Sequence, residues 1–514
     1  MSGTISARNK RIARNTLMLY FRQLLILLVN LYALRVVLVE LGVQGFGIYS
    51  AVAGLVALGA FLPGSLAQAT QRFFSFALGE DNEERLRQTF SVNLILYVLV
   101  ALFAFVALTT IGLWFVDNHL SIPEGRFQAA KTLYFYSTLT FVASVVTTPF
   151  MAIIMAHEDM KLYAYISILE AFMKLGVVFM LQYLTWEKLE LYGFLLLIVG
   201  IANAIIYIGV CLQRYKECQL KKMYWNSSLV RELIGFTGWT VFGQVSTIAR
   251  THAITLLLNQ SFSPAIVAAR ALSVQIAAQV SIFAGNFNTS LYPPIVKSYA
   301  AADRESMYSL VNSGSKITFF LLWIFALPMI IKMEIILAVW LTTVPANAVF
   351  FSQLALIEAL IYSVSMPLTA AARAPGKMKA YELILGSIQI GIFVAAWVIL
   401  AAGQPAYSVF VIAIIANLLM FGVRLFLVNR LTGFPILSFF RSVILPVLAV
   451  VLVTMLPVVA LNRLLSEGIF GSLLLILTSL SLSIVAMYFV GLDKVWRENI
   501  NAAIRSYIHG WRAV

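Results

Sequence analysis

Apolar runs of about twenty residues recur from one end of this chain to the other, and they leave no soluble fold open to it. Each run is long enough to cross about 30 Å of hydrocarbon as a helix, where a backbone must satisfy its own hydrogen bonds. About fourteen spans are read, at 15–41, 46–76, 90–116, 130–156, 162–184, 189–213, 233–258, 264–296, 309–331, 346–372, 381–401, 405–428, 441–461 and 468–491. Composition agrees: 61% of the 514 residues are hydrophobic and 11% charged, against about 25% charged in soluble domains. The expected fold is an all-α polytopic membrane protein.

The net charge of +14 follows topology rather than nucleic acid. With the N-terminus inside, the cytoplasmic segments hold 26 Lys and Arg. They include Arg214, Lys216, Lys221, Lys222 and Arg231 in one loop and Arg373, Lys377 and Lys379 in another. The opposite side holds five: Arg126, Lys131, Lys188, Lys332 and Arg463. This is the positive-inside asymmetry, and it predicts both termini in the cytoplasm. The basic start, Arg8 to Arg14, precedes a run containing Arg22, Asn30 and Arg35 with no small-residue cleavage site, so the first span is expected to be retained. In the tail, 492–514, Trp496, Ile500, Ile504, Tyr507, Ile508 and Trp511 fall at helical spacing with Lys494, Arg497, Arg505 and Arg512 between them. That pattern predicts an amphipathic helix on an anionic inner leaflet.

One fifteen-residue stretch occurs twice, at 149–163 and 367–381. Pro149, Ala152, Ala156, Met160, Lys161 and Tyr163 match Pro367, Ala370, Ala374, Met378, Lys379 and Tyr381 without a gap. A second match, Phe21-Arg22-Gln23 with Phe242-Gly243-Gln244, has nearly the same offset. Self-similarity at a fixed offset marks duplicated architecture, and an even number of spans per copy implies a pseudo-two-fold axis along the membrane normal. The expected organisation is a six-helix lobe at 1–213, a basic cytoplasmic loop at 214–232, a second six-helix lobe at 233–430, an extra helix pair at 431–491 and the tail.

Polar residues inside spans point to the chemistry. Thr240, Gln244, Thr247, Thr251 and Thr255 occupy an arc of about 80° on one helix face, and Thr16, Tyr20, Gln23 and Asn30 form the matching face of the first span. Ser65 and Gln68 in the second span, and Gln275, Gln279, Asn286 and Thr289 in the eighth, repeat the pattern. A hydrated cavity between the lobes is expected; interhelical hydrogen bonding in a packed bundle is the plainer alternative. Arg22, Arg35, Lys174, Arg250 and Arg270 lie in spans, where charge is costly, with Glu170 and Glu358 the deepest acidic residues. Snorkelling is a second reading for Arg22 and Arg35, and the expected one for Arg270. Glu170 and Lys174 stand at i, i+4 and are expected to pair. Glu358 lacks a cation within a turn of its own span and is read as a proton or Na⁺ site, or as a buried neutral carboxyl. Cationic excess suits phosphate or carboxylate. Cys211 and Cys218 cannot form a disulfide framework, the histidines have no metal-ligand spacing, and GxxxxGK[ST] is absent. No enzyme, cofactor or metal is expected.

The basic start with Asn15-Thr16, the Gly42-x-x-Gly45-Phe46-Gly47-Ile48-Tyr49 turn, Gln71-Arg72-Phe73 and the His157-Glu158-x-Met160 turn resemble bacterial polysaccharide (O-antigen-type, lipid-linked oligosaccharide) flippases of the multidrug/oligosaccharidyl-lipid/polysaccharide exporter superfamily. The resemblance implies two six-helix lobes, alternating access and a cationic central cavity for an undecaprenyl-pyrophosphate glycan in the bacterial inner membrane. The residues that would line it are Arg22, Gln23, Asn30, Arg35, Arg72, Lys174, Gln244, Arg250 and Thr251, with Glu358 and Glu170 coupling to H⁺ or Na⁺. A fourteen-span chain is similar to the lipid II flippase branch, where an added helix pair forms a lipid-tail groove. Two alternatives stand beside it. One is a drug/cation antiporter of the same superfamily, and the other a non-transporting scaffold for glycan polymerase and glycosyltransferases.

Overall fold

The computed structural model describes residues 2–57, 59, 61–119, 122–220, 223–341, 344–465, 468–493, 497–498 and 501. Among them the secondary structure is helical, with no strand. The tail expected to be amphipathic lies almost wholly outside the described residues. The chain divides into two compact units, Asn15–Val241 and Phe242–Val514, the latter joined by Met1–Arg14.

In the N-terminal unit, α1 (Ser2–Ala57) kinks at Gly42 (φ 68, ψ 170), a conformation that disfavours any side chain. The expected second span, 46–76, is therefore two pieces: the end of α1 and α2 (Phe61–Gly79). Next come α3 (Glu83–Ala107), capped by the Asn82 side chain accepting from the Arg85 amide, and α4 (Leu113–His119), joined to it through a π turn at Leu108–Gly112. The Leu108 carbonyl, which accepts from the Leu113 amide across this turn, also accepts from the Tyr134 hydroxyl at 2.7 Å. Gly112 leaves the room, since a Cβ there would lie 2.0 Å from that hydroxyl oxygen. The unit closes with α5 (Phe127–Ala156), α6 (Met160–Tyr183), α7 (Lys188–Arg214) and the first part of α8 (Ser227–Ser261). Helix α5 is the hub, packed on α2, α3 and α7. Its core includes Leu133, Val145 and Leu189, with Phe90 meeting Phe150 edge-on at 5.5 Å.

The C-terminal unit repeats this plan with the rest of α8, α9 (Pro264–Ala300), α10 (Arg304–Trp340), α11 (Ala348–Arg373), α12 (Lys379–Ala401) and α13 (Ser408–Thr432). Here α11 is the hub, packed on α9, α10 and α13. The sequence match at 149–163 and 367–381 falls on the C-terminal ends of the two hubs and the turns that follow. Pro149 and Pro367 are buried inside α5 and α11, and Ala152, Ala156, Ala370, Ala374, Met160 and Met378 are buried beside them. The turns agree in backbone too: Glu158 (φ 62) and its counterpart Gly376 (φ 81) are both left-handed. Beyond the repeat lie α14 (Ile436–Phe439), α15 (Leu445–Leu464) and α16 (Ile469–Ala486), the last two packed on α10.

Twelve helices among the described residues are long and apolar enough to cross a membrane, which makes this a multi-pass membrane protein. The two of the fourteen expected spans missing from that set are the second, split as above, and the seventh. The seventh is α8, at 35 residues long enough to cross but too polar to qualify.

Candidate functional site

The threonine stripe of α8 is chemically quieter than its sequence. The hydroxyls of Thr240, Thr247, Thr251 and Thr255 each donate to the carbonyl four residues back, at 2.9–3.1 Å. Their donors are consumed, as threonine in a helix commonly arranges, so the stripe offers acceptor lone pairs while half-buried Gln244 supplies an amide. Threonine 255 uses that capacity: Arg270 Nη1 donates to its Oγ1 at 2.5 Å. Arg270 is thus buried and turned inward, correcting the expectation that it snorkels.

Arg270 belongs to a charged cluster within the C-terminal unit. Arg250 Nη1 lies 3.5 Å from Glu358 Oε1, and the side chains are only 15% and 23% exposed. The same carboxylate oxygen accepts from Asn417 Nδ2 at 3.0 Å. Arg270 interacts electrostatically with both Arg250 and Glu358. Four helices, α8, α9, α11 and α13, thus meet around two guanidinium groups and one carboxylate. The cation that Glu358 lacks in its own span comes from a helix more than a hundred residues earlier.

In the N-terminal unit, Arg22 is buried with its guanidinium over the Tyr163 ring at 4.7 Å. Tyr207 interacts with Tyr163, Ser167, Glu170 and Arg22. Glu170 pairs with Lys174 at 2.7 Å and accepts from Asn203 Nδ2 at 3.2 Å. Gln23, the next residue in the chain after Arg22, is half-buried, and Asn30 and Arg35 are exposed on the same helix. Arg72 stands apart. It is 1% exposed, enclosed by the rings of Phe73, Phe76 and Phe236 at 4.6–5.6 Å, with Glu232 at 3.4 Å. Gln68 is exposed, and the Ser65 side chain lies outside what is described.

Sequence reasoning passed over a third group at the start of α12. Arg424 Nε donates to the Tyr381 hydroxyl at 2.8 Å, and the buried Glu382 interacts with Arg373 and Arg424. Gly243 admits that carboxylate, for a Cβ there would lie 2.0 Å from Glu382 Oε2. The repeated tyrosine was the signal: Tyr163 and Tyr381 each hold a buried arginine, one by its ring and one by its hydroxyl. Three acidic groups of the spans are ion-paired: Glu40 with Lys188, Glu170 with Lys174 and Glu358 with Arg250.

No protein-family profile and no curated protein sequence matches this chain. Solved structures do. A crystal structure of a MATE point mutant superposes with a TM-score of 0.72 at 12% identity, covering 83% of this chain and 97% of that one. An outward-facing multidrug resistance MATE transporter of the MOP superfamily matches at 0.69 and 13%, over 83% and 96%. A MOP superfamily transporter from Pyrococcus furiosus, described as having a binding pocket of reverse polarity that suggests a different function, matches at 0.66 and 14%, over 84% and 96%. The chain has the two-lobed MATE fold.

Proposed function

We propose that this protein is a flippase that moves an undecaprenyl-pyrophosphate-linked oligosaccharide across the bacterial inner membrane by alternating access. The observation that carries the reading is the state of its carboxylates. A cation antiporter needs an acidic group free to take its cargo, whereas Glu170 and Glu358, the acidic groups deepest in the spans, are each already paired with a cation. At the Arg250 cluster two guanidiniums share one carboxylate, leaving net positive charge beside Glu358. A pyrophosphate would complete that balance, because arginine's fork matches phosphate oxygens two at a time. In this mechanism the substrate displaces Glu358 from Arg250, and the released carboxylate, still held by Asn417, takes up the coupling proton or Na⁺. Arg22 and Lys174 would offer the corresponding positive groups in the N-terminal unit.

The second reading, a drug/cation antiporter, is favoured by the multidrug resistance transporters that share the fold. One comparison separates the two. A strain whose only copy carries Arg250→Gln should lose surface glycan about tenfold or more at unchanged protein level, and accumulate the lipid-linked precursor. Unchanged glycan with increased drug sensitivity would establish the antiporter instead.

A further inference from the structure

The buried lysine of α10 has one function that its surroundings dictate. Lys316 lies twelve residues into the helix, about 18 Å from its start, and is 1% exposed. Among the described residues its partner is Asp493 Oδ2, at 2.5 Å, on the segment that leaves α16. Two further contacts continue along the same face of α10 at helical spacing. Phe320 packs on Gly491, where a Cβ would meet its ring at 2.5 Å, and Trp323 Nε1 donates to Thr454 Oγ1 of α15 at 3.0 Å. Small residues on α16, Gly471, Ser472, Ser479, Ser483 and Ala486, are buried, as expected of a membrane helix drawn close to its neighbour.

We propose that Lys316 and Asp493 form a charge lock that makes α15 and α16 a fixed part of the C-terminal unit. A buried lysine is tolerated only with its counter-charge in place. The lock therefore makes docking of the helix pair a condition for the stability of α10 itself. Exposed Asp493 loses little when its partner is removed, whereas Lys316 loses all its compensation, so the two ends of the lock are unequal.

Hydrogen exchange on the full-length protein in detergent tests this. Asp493→Asn should speed amide exchange across 479–493 at least about tenfold, by stranding the lysine charge. Lys316→Leu with Asp493→Asn should return exchange to near the parent rate, since Phe320 against Gly491 and Trp323 to Thr454 remain. Unchanged exchange in Asp493→Asn overturns the proposal, as does a double variant that exchanges as fast as that single. If Asp493→Asn yields too little folded protein, the comparison moves to yield. Recovery of yield in the double variant supports the lock, and equal loss in both rejects it.

Discussion

Arg250 and Glu358 are unequal partners, and the inequality can be measured. If Arg250 becomes Gln, Glu358 keeps the amide of Asn417 at 3.0 Å, so its charge is still partly held. If Glu358 becomes Gln, Arg250 and Arg270 are left to repel each other without the one carboxylate they share. Both side chains of the pair retain some exposure, 15% and 23%. The coupling therefore belongs nearer the roughly 1 kcal/mol of accessible pairs than the 3–5 kcal/mol lost when a fully buried pair is broken. Glu358→Gln should lower the thermal midpoint more than Arg250→Gln does, and the double variant should be milder than the sum. Strict additivity in that four-member set would remove the pair as an interacting unit.

At the scale of elements, the duplicated turns make the sharper prediction. A left-handed residue at this position costs an L side chain roughly 1–2 kcal/mol. The two copies answer it differently, with Glu158 at φ 62 and Gly376 at φ 81. Gly376→Ala should therefore destabilise the protein by about 1 kcal/mol, read as a fall in thermal midpoint; no fall would mean that the turn relaxes freely. These turns also mark what the sequence made legible. Their identities, Pro, Ala, Met and Tyr, are what a repeated hub helix and its exit need, so the duplication was readable without coordinates. Pairings between helices were not. Nothing in the spacing of Arg250, Glu358 and Asn417 links three helices, and nothing in the sequence around Lys316 points to Asp493. The threonine stripe marks a different limit, because periodicity reports which face is polar but not whether its hydroxyls are already bonded to their own backbone.

For the molecule as a whole, the open variable is α8. It fails the apolarity test that twelve other helices pass, yet the charge asymmetry of every later loop depends on its crossing the membrane. If α8 lay within one leaflet, the turn at Ser263 would stay inside and all segments after α9 would invert, placing Arg373, Lys377 and Lys379 outside. Its polar residues make crossing cheaper than its composition implies, since four threonine donors are satisfied within the helix and Arg250 is neutralised by Glu358. Alkaline phosphatase fused after Trp186 and after Ser263 should be active, as it is only outside the cytoplasm. Fusions after Gln219 and after Asp303 should be inactive. An inactive Ser263 fusion with an active Asp303 fusion would reverse every segment after α9 in the bilayer. The expected pattern gives the two units the same direction of entry, as two copies of one even-numbered helical unit require.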